Sequence, residues 1–136
     1  MANTLRLTIV TPEAEVFSGE VDMVTLPGVD GELGVFPMHT PLMTQIEPGE
    51  LVLRRGTEET HMAVGEGFAE ITGDHVTIIT DMAIEADSID EAAVEEARRR
   101  AEARLAEKLS AEDAALVQAT LARATAQLKV KRARKR

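Results

Sequence analysis

All nine glycines and all five prolines of this chain lie before Ser88. Turn-forming glycine and proline therefore punctuate the first part, while the second part contains neither and is free to form helices. Charge divides at the same place. Residues 1–87 carry 16 acids against three bases, a balance of -13, and residues 88–136 carry eight acids against 12 bases, a balance of +4. We read two domains, 1–87 and 88–136, joined near Ala86-Asp87.

Within the first domain apolar residues recur every second position in short pieces, the pattern of strands with one buried face. Leu5, Leu7 and Ile9 alternate with Arg6 and Thr8; Val21, Met23 and Thr25 lie opposite Asp22 and Val24. Leu51 and Leu53 flank Val52, and Val76 and Ile78 flank Thr77. Turn signals follow closely, among them Ser18-Gly19, Pro27-Gly28, Asp30-Gly31, Pro48-Gly49, Arg55-Gly56 and Gly73-Asp74. No helical crossover fits between such strands, so the expected architecture is an antiparallel sandwich or barrel.

The second domain changes to a helical period. Ser88 with Glu91 and Ser110 with Asp113 have the spacing of N-terminal caps, which predicts two helices with a break at Leu109-Ser110. The apolar stripes are Ile89, Ala93, Ala97, Ala101 and Leu105 on the first, and Ala114, Val117, Leu121, Ala124 and Leu128 on the second. Alanine side chains bury little area, at about 25 cal/mol per Å². The hairpin is therefore expected to be weakly docked and movable. Lys129, Lys131, Arg132, Arg134, Lys135 and Arg136 crowd its end, where cations suit the negative pole of a helix.

Chemistry-bearing patterns are few. The chain has no cysteine, which excludes disulfides, thiolate metal sites and a thiol nucleophile. Phosphate-loop, zinc-protease and nucleophile-elbow motifs are missing, and His39, His61 and His75 are widely spaced, consistent with surface or packing roles. A charge of -13 on the adjoining domain opposes nucleic-acid binding by the basic tail. No apolar run approaches the roughly 18 residues of a membrane span, and no signal peptide is evident at the start. These features favour a binding or regulatory protein over an enzyme. The densest special stretch, Pro27 to Leu42, needs several fixed turns. It forms either a stiff structural loop or a contact loop carried by a rigid sheet, with Glu32 and His39 as its polar points.

Gly31-Glu32-Leu33-Gly34-Val35-Phe36-Pro37-Met38-His39-Thr40-Pro41-Leu42 resembles the signature of the epsilon subunit of the rotary F-type ATP synthase of bacteria and chloroplasts. The likeness extends to Leu5–Pro12, to Val64-Gly65-Glu66-Gly67-Phe68 and to Ile89-Asp90-Glu91-Ala92, in order along essentially the whole chain. The resemblance implies an α+β fold of two domains: an N-terminal antiparallel β-sandwich of about ten short strands, then a C-terminal antiparallel two-helix hairpin. It implies a non-catalytic central-stalk subunit that couples proton translocation to ATP synthesis, located peripherally on the cytoplasmic face of the plasma membrane. The implied partners are the gamma subunit, the c ring and the alpha and beta catalytic subunits; contact with the membrane is only indirect, and no nucleic acid is bound.

By motif match Glu32 and His39 fall at c-ring-facing positions, and Arg123, Lys129, Lys131 and Arg132 are the candidates for inhibitory contacts to the catalytic subunits. Ile89 and Asp90 match a nucleotide-binding motif of some members, but Ala93 stands where that motif has arginine, and Val94 where it has alanine. The resemblance therefore implies no obligatory cofactor, with ATP at the hairpin disfavoured. The reading from a different class is a free-standing β-sandwich ligand-binding module whose helical tail dimerises through the stripe of the second helix.

Overall fold

A computed structural model describes residues 4–134. The first domain runs through β1 (Leu5–Val10), β2 (Glu15–Val21), β3 (Met23–Gly28), β4 (Gly31–Val35) and β5 (Leu42–Ile46). It continues with β6 (Gly49–Arg55), β7 (Glu58–Val64), β8 (Gly67–Thr72), β9 (His75–Thr80) and β10 (Ala83–Glu85). A 3-10 turn, Ala86–Ser88, leads into α1 (Glu91–Leu105) and α2 (Ala111–Arg134). This is the expected sandwich followed by a helical hairpin. Lys135 and Arg136 of the basic tail lie outside the described residues.

The strand order is β10-β7-β6-β3-β5-β8-β9-β1-β2, with β4 paired to β3. β3 meets β5 through a single residue pair, Gly28 with Ile46, so the sheet turns a corner there and closes as two layers. Between them lies an aliphatic core, including Leu5, Leu7, Ile9, Leu26, Leu51, Leu53, Met62, Ile71 and Ile78. With three phenylalanines and no tyrosine or tryptophan in the chain, the core packs branched side chains.

Several local expectations are corrected. β1 and β9 pair in parallel, unlike the other pairs; the crossover argument governs strands adjacent in sequence, and these are nearly a whole domain apart. The face assigned to Val21, Met23 and Thr25 does not persist, because Val21, Val24 and Leu26 are the buried residues. The chain breaks step at Asp22, whose amide donates to the Arg54 carbonyl oxygen at 2.8 Å while its carboxylate accepts from the Gly56 amide at 2.6 Å. The first helix is capped by Asp90, which accepts from the Ala93 amide at 3.1 Å, and not by Ser88, which belongs to the 3-10 turn. With Asp90 immediately before the helix, the amide to be capped is that of Ala93, two residues beyond the Glu91 that a Ser88 cap would have served.

At the second helix Ser110 does cap as read, accepting from the Asp113 amide at 3.1 Å. The first helix nonetheless ends at Leu105, earlier than the break placed at Leu109-Ser110. Ala93 is exposed, so the α1 stripe is buried chiefly at Ala101. On α2 Val117, Ala124 and Leu128 are buried as the stripe required, and Ala126 and Val130 are buried as well. The helix therefore has two covered sides. Val117 shares a groove with Ala97 and Ala101 of α1, and Ala126 shares one with Pro48 and Gly49 of the sandwich.

Candidate functional site

The hairpin lies on the outward side of β6 and β7. Ala63 points away from the core of the sandwich, between the inward Met62 and Val64, yet it is fully buried. Val130 of α2 covers it, together with Ala86 and Ile89, and Met82, Ile84 and Val94 pack around this second cluster. Four buried residues thus form the apolar seat, separate from the sandwich core. Polar contacts surround the seat. Arg123 donates to Asp81 at 3.2 Å, Gln127 Nε2 donates to the Met82 sulfur at 3.1 Å, and Lys131 Nζ donates to the Ala86 carbonyl oxygen at 3.1 Å.

A further network binds the helices to each other. Arg132 reaches Glu91 at 2.9 Å and Glu95 at 2.7 Å, and Arg98 also pairs with Glu95. Glu95 is only 17% exposed. The two guanidiniums, Arg98 first and then Arg132, hold its carboxyl below the ordinary value of 4.5. A depressed folded value means that this contribution is complete above 4.5, the unfolded value, and fades as pH falls through the lower folded one. Acidification below that range is therefore expected to loosen α1 from α2, and Glu95→Gln should flatten the response. Distance between labels on the two helices, followed against pH, is the measurement that checks it.

The other side of the sandwich carries a different feature. Phe68 on β8 stands opposite Ile79 on β9 and Gln45 on β5, and Ile79 stands opposite Val10 on β1. Phe68 and Ile79 are more than half exposed, as is Met43, two residues along β5 from Gln45. Directly opposed and diagonal neighbours on one face touch, so these side chains form an apolar row across adjacent strands. This face is the reverse of the one that buries Ala69, Ile71, Val76 and Ile78. Exposed apolar side chains gathered in this way mark an interaction surface.

The turn-rich stretch resolves into β4 and a loop. Glu32 is exposed on β4 beside Pro27, next to the hairpin turn, whereas His39 lies in the loop after β4 and donates through Nδ1 to the Thr40 carbonyl oxygen at 2.6 Å. Met38 takes a left-handed φ of 68° and its amide donates to the Gly73 carbonyl oxygen at 2.7 Å. A non-glycine residue in that region costs on the order of 1 kcal/mol and is held only where its surroundings demand it.

Two family models match the chain in succession: ATP synthase, Delta/Epsilon chain, beta-sandwich domain over residues 4–86, and ATP synthase, Delta/Epsilon chain, long alpha-helix domain over residues 87–132. The chain belongs to the ATP synthase delta/epsilon family. The ATP synthase epsilon chain of Dehalococcoides mccartyi is 48% identical over 88 residues, covering 65% of this chain and 63% of that protein. That of Desulforamulus reducens is 47% identical over 90 residues, covering 66% and 68%. The matched region thus spans less than two thirds of the first relative. A chain in the cryo-EM structure of the Euglena gracilis mitochondrial ATP synthase (OSCP/F1/c-ring) aligns with a TM-score of 0.69 at 21% identity, covering 97% of this chain and 79% of that one. One from the Tetrahymena thermophila mitochondrial ATP synthase (central stalk/c ring) aligns at 0.59 and 13%, covering 93% and 96%. At those identities the likeness is one of fold.

For a delta/epsilon-family chain, the placement of the sequence-derived residues is informative. Glu32 and His39, read as polar points of one loop, are separated: Glu32 lies on β4 near its start, and His39 lies in the loop after the strand. Of the four cations, Arg123 and Lys131 tie α2 to Asp81 and Ala86 of the first domain, Arg132 ties α2 to α1, and Lys129 is exposed along a groove that also holds Glu47 and Glu66. Ile89 is buried beneath Val130, and the Asp90 carboxylate caps α1. Sequence reasoning missed Phe68, Ile79, Met43, Asp81, Ala126 and Val130. The consecutive pair Ile78-Ile79 was the available signal: in a strand, one of two adjacent apolar residues must face outward.

Proposed function

We propose that the chain is a non-catalytic central-stalk subunit of a rotary F-type ATP synthase, coupling proton translocation to ATP synthesis and restraining ATP hydrolysis through its C-terminal helices. The observation that carries this reading is the docked, cationic hairpin whose apolar seat is separate from the sandwich core. A rigid platform with a separable arm suits a subunit that is fixed to a shaft at one place and acts elsewhere. The relatives named ATP synthase epsilon chain support the same assignment.

In this reading the apolar row of Met43, Phe68 and Ile79 seats the gamma subunit, and Glu32 and His39 face the c ring. Arg123, Lys129, Lys131 and Arg132 meet acidic segments of the alpha and beta subunits once the arm has left the sandwich. The subunit works at the cytoplasmic face of the plasma membrane as part of the complex; among the described residues no helix is long and apolar enough to cross a membrane. It works without a nucleotide at the hairpin: Ala93 offers no cation, and the Asp90 side chain caps the helix. A dimerising tail is less favoured, because Val117, Ala124 and Leu128 are already buried within one chain.

The test is deletion of residues 88–136 in the assembled complex. ATP hydrolysis is expected to rise severalfold with assembly and synthesis retained. Unchanged hydrolysis in a fully assembled complex would remove the inhibitory part of the proposal.

A further inference from the structure

We propose that Asp81, seated against Gly65, forms with Arg123 the latch that sets how much of the hairpin is docked; this deepens the reading of the hairpin as a movable arm and rests on it. The latch is built from two turns of the sandwich that are tied together. The Gly65 amide donates to the Met82 carbonyl oxygen at 2.9 Å, and the Asp81 amide donates to the Glu66 carbonyl oxygen at 3.1 Å. The buried Thr80 hydroxyl lies 3.0 Å from the Glu66 carbonyl oxygen and 3.2 Å from that of Met82, and it donates to one of them at a time. The backbone beneath Asp81 is therefore fixed.

Its carboxylate passes directly over Gly65. A Cβ at that glycine would stand 1.7 Å from Asp81 Oδ1 and 2.9 Å from Cγ, so the observed position is open to Asp81 only while residue 65 has no side chain. From there Oδ2 meets Arg123, and Gln127, one turn further along α2, meets Met82 on the same turn. The ion pairs of Arg132 run to α1 instead, and Lys131 binds the linker carbonyl of Ala86. The Arg132 pairs can travel with the arm, whereas the contacts to Asp81, Met82 and Ala86 on the sandwich side must break, and Asp81 supplies the ion pair among them. Both partners are about one third exposed, at 34% and 38%, so the pair remains within reach of competing charges.

Gly65 is thus a positioning residue that touches the arm only through Asp81. The neighbouring Gly67 differs: a Cβ there would lie 1.9 Å from the Ile79 carbonyl oxygen, a backbone atom that cannot swing aside. Alanine at 65 displaces a flexible carboxylate and leaves the sandwich and every cation of α2 in place.

The chain has no cysteine, so Thr57→Cys and Glu112→Cys provide two unique labelling sites, one on the sandwich and one on α2. In the full chain so labelled, Gly65→Ala and Asp81→Asn are each expected to raise the undocked population about two- to fivefold, the range for a partly exposed ion pair. Gly65→Ala should add nothing in an Asp81→Asn background. An unchanged undocked fraction in Asp81→Asn overturns the latch, and so does an additive effect of Gly65→Ala. The distance measurement needs no partner subunit. A shift in distance without a change in hydrolysis by the assembled complex would leave the latch standing and sink the inhibitory function; no shift sinks the latch whatever hydrolysis does.

Discussion

Val130→Asp is expected to release the hairpin while leaving the sandwich folded. Val130 is 1% exposed and contacts a cluster made of Ala63, Ala86 and Ile89, none of which can pair with a carboxylate through its side chain. An unpaired buried carboxylate costs several kcal/mol. The hairpin can avoid that cost by leaving its seat, which exposes residue 130 to water. The docked-to-undocked ratio should therefore fall by about a hundredfold or more, since each 1.4 kcal/mol is a factor of ten. Label-to-label distance between Thr57→Cys and Glu112→Cys reads the release, and thermal unfolding of the sandwich should move little because Val130 is not part of the aliphatic core between the two layers. A sandwich melting transition that falls together with hairpin release would show one shared interior and would contradict the platform-and-arm organisation.

The division into strands and helices was legible because glycine, proline and charge all change at one place, and because strict alternation differs from a helical period of about 3.6 residues. Inward positions such as Leu5, Leu7, Ile9, Leu51 and Leu53 could be read for the same reason: each strand has one buried face. Reading failed where a tertiary contact decides the outcome. Asp22 shifts the face of the following strand through bonds to Arg54 and Gly56, more than thirty residues away. Ala63 lies on the outer side of its strand, and nothing local distinguishes it from a solvated alanine; its burial depends on Val130, far along the chain. The second covered side of α2 was hidden likewise, because Ala126 and Val130 gain meaning only when the helix lies across the sheet. Candidate cations were easily named from the sequence, but their division into helix clip, latch and exposed side chain required coordinates. Arg132 joins two helices, Arg123 joins a helix to a turn, and Lys129 faces solvent, though all three look alike as charges near one end of a chain.

Phe68→Glu, alone or with Ile79→Glu, is expected to abolish tight association with the proposed gamma seat while leaving both the sandwich and the hairpin dock intact. Both side chains project from the outward face of β8 and β9, more than half exposed, so neither contributes to the core and a charge there meets water in the free chain. In a complex the same charge would be buried against an apolar partner without compensation. Removing a large aromatic anchor at the centre of an interface typically costs 2 kcal/mol or more, and an unpaired carboxylate adds its desolvation. A loss of affinity of about a hundredfold or more follows for the double variant. The hairpin seats on β6 and β7, in the layer opposite to β8 and β9, so the binding face stays free whether the arm is docked or released. Attachment and regulation are then separable: Phe68→Glu should lose the partner with the label distances unchanged, and Val130→Asp should change the distances with partner binding retained. Measured gamma affinity and label distance on both variants check this directly, and a Phe68→Glu chain that still binds gamma tightly would move the seat to another face of the sandwich.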